Sequence, residues 1–563
     1  MNRSERRRLD KQRRRDRAAG GAASPGDDAF TGVALSEALE HLKAGRARDA
    51  LAIYRRVLKF DGRNAQALNL AGVAYFQLGD QRRALKHLRQ AVAGGTADVD
   101  AHNNLGNVLK AAGRLDDAET AYRRALEIRP DYADAHYNLG ILLEALGRPA
   151  EAEAAYRNAL DAAPGFVLAR FNRANALKAL GRLDEAIADY QAAIVAAPDL
   201  AGAHNNLGSA LHELGRSDEA VAAYRRAIDI KPEFADAHYN LGIALQEQAQ
   251  FDDAVAAYER AIEIDTGQVG ARVNLGVALQ RLGRLDEAIP AYRAACAGAP
   301  DYAGGHINLA DALVETGDVD AALAVADGFL ADRPADSGML AFKALLLNEA
   351  GQADAAEVLI GIETFFRGVP VAAPEGYADV AAFNAALAAH VLAHPSLAVA
   401  PASHATRAGR HSGELLVEPI GPMAAFEGVV RAAVDGYIRA LPRRSGHPFV
   451  ARPPRRYGLN VWGVVLEGQG HQVPHIHPAA WLSGVYYVRL PEAIGAADDG
   501  EAGWIAFGRP PAHFHLAVPP KITPVRPEEG LMLLFPSYLY HHTIPFESAG
   551  TRISIAFDVL PTA

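Results

Sequence analysis

A glycine recurs every 34 residues along much of the chain, at positions 45, 79, 113, 147, 181, 215, 283, 317 and 351, with Ala249 in the one place where it is missing. Such a period means one structural unit copied head to tail, and a chain built that way stacks its units rather than closing around a single core. Each glycine falls between two amphipathic stretches, where a residue with positive φ ends the first helix. Around it the pattern repeats as Ala-x-Ala-His-Tyr-Asn-Leu-Gly (Ala235 to Gly242) and Asp-Glu-Ala-x-x-x-Tyr (Asp184 to Tyr190), and proline closes most units at 130, 164, 198, 232, 300 and 334. The small residues Gly242 and Ala254 allow close helix approach, with Tyr258 filling the space between.

This pattern resembles the tetratricopeptide repeat, in about nine to ten units. The resemblance implies an all-α solenoid over 34–360 that holds another protein. The sixth position of the unit is asparagine at Asn104, Asn138, Asn172, Asn206, Asn240, Asn274 and Asn308. Two residues earlier stand His102, His136, His204, His238 and His306, with Arg170 and Arg272 in the gaps. The asparagine register resembles the superhelix of the O-linked N-acetylglucosamine transferases, whose ladder clamps the backbone of an extended peptide. An amide offers a donor and an acceptor and so serves peptide N–H and C=O groups whatever their sequence. The competing expectation is that these asparagines bond neighbouring helices. The histidines lie a whole repeat apart, too far for shared metal coordination, and no glycosyltransferase domain follows.

At 563 residues the chain exceeds one core, and its charge of −10 argues against a nucleic-acid binder. The lone Cys296 forms no intramolecular disulfide and reads as a small buried thiol in a repeat helix. The start lacks a signal-peptide pattern and no stretch is long enough to span a bilayer, so the expectation is a cytoplasmic protein. Residues 1–33 read as a disordered tail, with nine basic residues against three acids in its first 20. Residues 361–376 read as a linker, with helices over Tyr377–Ala393 and Met423–Leu441 beyond it. From Tyr457 the sequence alternates as strands do: Asn460–Leu466, Leu482–Arg489, Gly503–Phe507, Leu531–Phe535 and Arg552–Val559. These predict a barrel or two-sheet sandwich in a domain spanning 377–563.

Histidines cluster in that domain. His475 and His477 precede the strand Ser483-Gly484-Val485-Tyr486-Tyr487-Val488, and Phe535-Pro536-Ser537 leads to His541 and His542, ahead of Arg552-Ile553-Ser554-Ile555. Two residues apart in an extended segment, His475 and His477 project to one side, and a third imidazole would complete a facial metal set. The order of motifs resembles the double-stranded β-helix (jelly-roll, cupin-like) oxygenases that use Fe(II) and 2-oxoglutarate, in a bacterial and phage branch. It implies His475 and His541 as metal ligands, with His477 where a carboxylate usually stands. It also implies Arg552, Ser554 and Tyr487 as the hold on the distal carboxylate of 2-oxoglutarate. His471 and His542 remain alternative ligands, and Tyr486, Trp481 and Trp504 read as core or pocket wall. The implied activity is hydroxylation of a captured protein or peptide. The alternatives are a scaffold with a degenerate oxygenase domain, or a three-histidine dioxygenase that does not use 2-oxoglutarate.

Overall fold

The computed structural model describes residues 25–93, 98–401, 404–418, 420–442, 446–451, 453–492, 494 and 500–562. Most of the basic tail lies outside them, but helix Pro25–Lys43 begins within the expected tail. The chain forms two compact units, Met1–Gln248 and Ala249–Ala563.

Among the described residues the first unit holds six antiparallel helical hairpins, from Pro25–Lys43 with Ala47–Phe60 to Ala201–Glu213 with Ser217–Ile230, and then helix Ala235–Glu247. At the hairpin turn Gly113 has φ 73°, and Arg114 N–H returns to the Leu109 carbonyl at 2.9 Å, closing the helix end. Where the first helix of a repeat crosses its second, a glycine meets a tyrosine. A Cβ on Gly106 would lie 2.5 Å from the Tyr122 ring, and Gly140 faces Tyr156 at the same distance. The periodic glycine and tyrosine therefore specify each other.

The ladder asparagines bond the neighbouring repeat, which was the competing expectation for this register. Asn104 donates to Asn69 at 2.9 Å, Asn138 to Asn103 at 3.0 Å, Asn206 to Asn175 at 2.9 Å and Asn240 to Asn205 at 3.1 Å. Asn172 faces the Tyr137 hydroxyl at 3.4 Å. One amide N–H of each asparagine thus ties its repeat to the preceding one. The histidine column serves the turns: His136, His204 and His238 reach the carbonyls of Pro130, Pro198 and Pro232 at 2.8, 3.1 and 3.0 Å. Arg170 does the same for Pro164 at 3.0 Å, which explains its place among histidines.

The second unit begins with helix Phe251–Ile264 and three hairpins, Val269–Arg281 with Leu285–Gly298, Ala303–Glu315 with Val319–Asp332, and Ser337–Glu349 with Ala353–Ile360. Cys296 is half-buried in the second helix of the first of these, and burial pushes its thiol up to about 11. Segment 361–376, expected as a linker, instead supplies the short helix Ile362–Phe365 and strand β1 (Arg367–Pro370), which pairs with β8. The remaining strands are β2 (Ala398–Val399), β3 (Thr406–His411), β4 (Tyr457–Gln472), β5 (Leu482–Arg489), β6 (Ile505–Phe507), β7 (Thr523–Val525), β8 (Leu531–Pro536), β9 (His541–Thr543) and β10 (Ser548–Pro561). They form a seven-stranded sheet, β1-β8-β5-β10-β4-β3-β2, and a three-stranded sheet, β7-β6-β9, antiparallel throughout. Helices Val380–Ala393 and Met423–Ala440 cover the outer face of the large sheet. Tyr486 donates to Asn384 at 2.6 Å and packs on Phe426, and a Cβ on Gly463 would lie 2.7 Å from Val391. The strands β5 and β10 are therefore buried on both faces, and the inner face of the large sheet is left to line a cavity toward the small one.

Candidate metal centre

The cavity between the sheets has a volume of about 500 Å³. Strand β10 presents Arg552, Ser554, Ala556 and Asp558 to it, because alternate residues of a strand share a face. The small sheet adds Ile505, His541 and Thr543, and the segment after β4 adds His475 and His477.

A two-way backbone bridge holds the histidines together: His475 N–H donates to the His541 carbonyl at 3.1 Å, and His541 N–H donates back at 3.0 Å. His477 N–H donates to the Ser537 carbonyl at 3.0 Å. One ligand nitrogen from each of His475, His477 and His541 lies within 4.8 Å of the other two. Among the described residues neither His471 nor His542 joins this group.

Hydrogen bonds on the far side of each ring fix which nitrogen faces inward. The Nδ1 of His475 lies 2.8 Å from the Val473 carbonyl, and that of His541 lies 2.9 Å from the Leu539 carbonyl. A carbonyl only accepts, so each Nδ1 carries the proton and each Nε2 keeps its lone pair. His477 Nδ1 lies 2.9 Å from Asp558, whose other oxygen accepts from Ser483 Oγ at 2.7 Å. His477 Nε2 is buried with no partner. Burial lowers His475 to about 4 and takes His541 well below its ordinary value, so both are neutral imidazoles at neutral pH. Three inward lone pairs with bonded outer nitrogens fit a divalent transition metal, and this donor set suits iron, zinc, copper or nickel.

The sequence offered no signal for Asp558 beyond its place on the same face of β10 as Arg552 and Ser554. It puts one negative charge behind His477, where the neutral ligand set has none.

Arg552 is 3% exposed and donates from Nη1 to Thr543 Oγ1 at 3.0 Å. Its guanidinium carbon lies 5.3 Å from the Tyr487 ring centre. Its Nε and the Tyr487 hydroxyl are buried with no partner beyond the approach of these two side chains to each other, and no carboxylate among the described residues pairs with it. Burying a cation without a carboxylate is unfavourable, and an anion entering the cavity would pair with it. A dicarboxylic acid such as 2-oxoglutarate fits that end, with Ser554 beside it on β10.

Models of the tetratricopeptide repeat match residues 106–147, 174–215 and 208–249, 35–99 and 239–303, 279–346, and 133–166. A model described as "Putative 2OG-Fe(II) oxygenase" matches residues 460–558. The chain is a tetratricopeptide-repeat protein with a C-terminal domain of the 2OG-Fe(II) oxygenase family.

Solved structures similar to this repeat protein include YrrB, a TPR protein with an unusual peptide-binding site, at 23% identity over 33% of this chain and 95% of its own, TM-score 0.30. MamA matches at 28% identity over 28% and 92%, TM-score 0.26. TTC0263, a thermophilic TPR protein of Thermus thermophilus, matches at 26% identity over 32% and 98%, TM-score 0.28. Among curated proteins none matches. No helix among the described residues is long and apolar enough to cross a membrane.

The oxygenase match begins at Asn460, so one wall of the cavity lies outside it. His404, His411 and Glu414, on and around β3, line that wall. The Trp462 ring stacks between His411 at 5.9 Å and His477 at 5.5 Å. Trp481 and Trp504 are structural: Trp481 stacks on Phe449 at 4.7 Å and donates to its carbonyl at 2.9 Å, and Trp504 packs against Val464, Leu466 and Phe546.

Proposed function

We propose that the C-terminal domain is an Fe(II)- and 2-oxoglutarate-dependent oxygenase that hydroxylates a protein or peptide held by the repeats. The observation that carries this reading is Arg552, a buried guanidinium without a carboxylate partner among the described residues, in the same cavity as three inward imidazole lone pairs. His475, His477 and His541 would hold the metal. Arg552, with Tyr487 and Ser554 beside it, would hold the distal carboxylate. When bound, iron and 2-oxoglutarate supply oxygen activation: O2 and 2-oxoglutarate give succinate and CO2, and one oxygen atom enters a substrate C–H bond. The chain's own part is orientation. The Val473 and Leu539 carbonyls and Asp558 set the three rings, burial keeps His475 and His541 unprotonated, and Trp462 with β3 shapes the substrate side.

The repeats suit capture of a peptide. Asn104, Asn138 and Asn240 spend one N–H between repeats, which leaves their carbonyl oxygens and second N–H groups for a ligand. Asn274 and Asn308 make no side-chain hydrogen bond among the described residues, so their whole amides serve. His477 in place of an acid also favours a second reading, a three-histidine dioxygenase that works without 2-oxoglutarate.

Anaerobic titration with Fe(II) and then 2-oxoglutarate separates these readings. Under the first, a weak visible charge-transfer band grows with 2-oxoglutarate and is lost in His475→Ala. In Arg552→Met, 2-oxoglutarate affinity falls by at least about tenfold, because a charge-assisted fork contributes upwards of about 1.5 kcal/mol. Loss of the buried cation leaves the apo fold at least as stable by urea titration. Persistence of the band in His475→Ala, or oxygen uptake with no 2-oxoglutarate present, rejects the first reading.

A further inference from the structure

Between β6 and β7 the chain carries Pro510-Pro511 and Pro519-Pro520. Paired prolines fix φ, hold the preceding residue extended and remove backbone donors at either end of this strap, which turns at residues 512–513 and bends at Phe514 and at residues 517–518. It lies along the first helices of the last three repeats.

Its contacts with those helices fall on the face that carries the ladder, and one more reaches the second helix of the last repeat. Phe342 stands 34 residues after Asn308, at the next rung, and the Phe514 ring lies 4.8 Å from it. Asp311 and Glu315 follow Asn308 by three and seven residues, and Glu349 follows Phe342 by seven, so all share one face. His515 N–H donates to Asp311 Oδ1 at 2.9 Å, and its ring Nδ1 meets Oδ2 at 2.8 Å. Gln280 braces the pair, donating to Asp311 at 3.0 Å and to Glu315 at 2.9 Å. Val518 N–H donates to Glu349 at 2.7 Å, and Lys521 pairs with Glu357 at 2.6 Å. Two strap backbone donors are thus held by groove carboxylates, and an aromatic ring fills a rung. Beneath the strap Asp311 is only 5% exposed, with His515 and Gln280 as its donors. Under the strap, with Val518 and Pro519 in its wall, lies a cavity of about 1150 Å³, with room for other side chains.

We propose that the strap is a built-in occupant of the peptide groove. An extended peptide carrying an aromatic residue followed by an imidazole or cationic side chain then binds these three repeats only by displacing it. The strap is continuous with β6, whose Ala506 and Phe507 pair with His542 and His541, so displacement and the metal cavity are coupled in both directions. The proposal stands whether or not the domain oxidises anything.

The test uses the full chain and a labelled synthetic peptide of residues 509–521. A protein whose groove is self-occupied shows an affinity reduced by the fraction that is open. Phe514→Ala/His515→Ala, which weakens the strap and leaves the groove intact, is expected to bind the peptide at least about tenfold more tightly than wild type. Adding Asp311→Asn is expected to abolish the gain. In wild type, saturating peptide is expected to speed amide exchange over 512–518. Equal binding by wild type and the double variant, a gain that survives Asp311→Asn, no binding by any of them, or unchanged exchange overturns the proposal.

Discussion

Asp558 places a carboxylate behind the three imidazoles, one side chain removed from the candidate metal position. It accepts from His477 Nδ1 and from Ser483 Oγ, so both of its oxygens are engaged. A carboxylate in this place orients the ring and raises its basicity. Asp558→Asn is therefore expected to weaken metal affinity about 10- to 100-fold while the far-ultraviolet circular dichroism stays native. Competitive titration with a chelating dye measures it, and unchanged affinity would show that His477 needs no carboxylate behind it. The histidines themselves were legible as a cluster from His475-x-His477 and His541. Asp558 was not, because strand pairing across more than 80 residues brings it to His477, and no local spacing records that.

At the scale of the element, the repeat hairpin depends on a glycine that has no space beside it. A methyl group on Gly106 would meet the Tyr122 ring at 2.5 Å, inside van der Waals contact. Gly106→Ala gains about 1 kcal/mol in helix propensity and loses about 1–3 kcal/mol to overpacking, so a lower urea midpoint is expected. A raised midpoint would mean that the tyrosine ring moves aside freely. The two helices beyond the repeats were legible to within a few residues, expected at Tyr377–Ala393 and Met423–Leu441 and found at Val380–Ala393 and Met423–Ala440. The short strands were not: β1, β2, β7 and β9 have two to four residues each, too few to show alternation. The segment read as a linker carries β1 because Pro370 sits at a sheet edge, where its missing N–H costs nothing.

At the scale of the whole molecule, composition separates the two architectures in a way that can be measured. Trp462, Trp481 and Trp504 all lie in the sheet domain, whereas helices of the repeats dominate the circular dichroism. Co(II) with 2-oxoglutarate at about 100 times their dissociation constants adds about 2.7 kcal/mol to the form that binds them. The melting midpoint followed by tryptophan fluorescence is then expected to rise by several degrees, with a smaller rise in the circular dichroism trace. Equal shifts in both signals would mean that repeats and sheets unfold as one cooperative body. The strap adds a kinetic property. It is anchored in strands at both ends, so it competes at a fixed local concentration that dilution does not change. A short peptide that touches only the strap's own contacts meets this rival in full, while a longer one with further points of attachment can hold on until the strap lets go. A tethered competitor of this kind screens partners by length, favouring long unstructured chains over fragments.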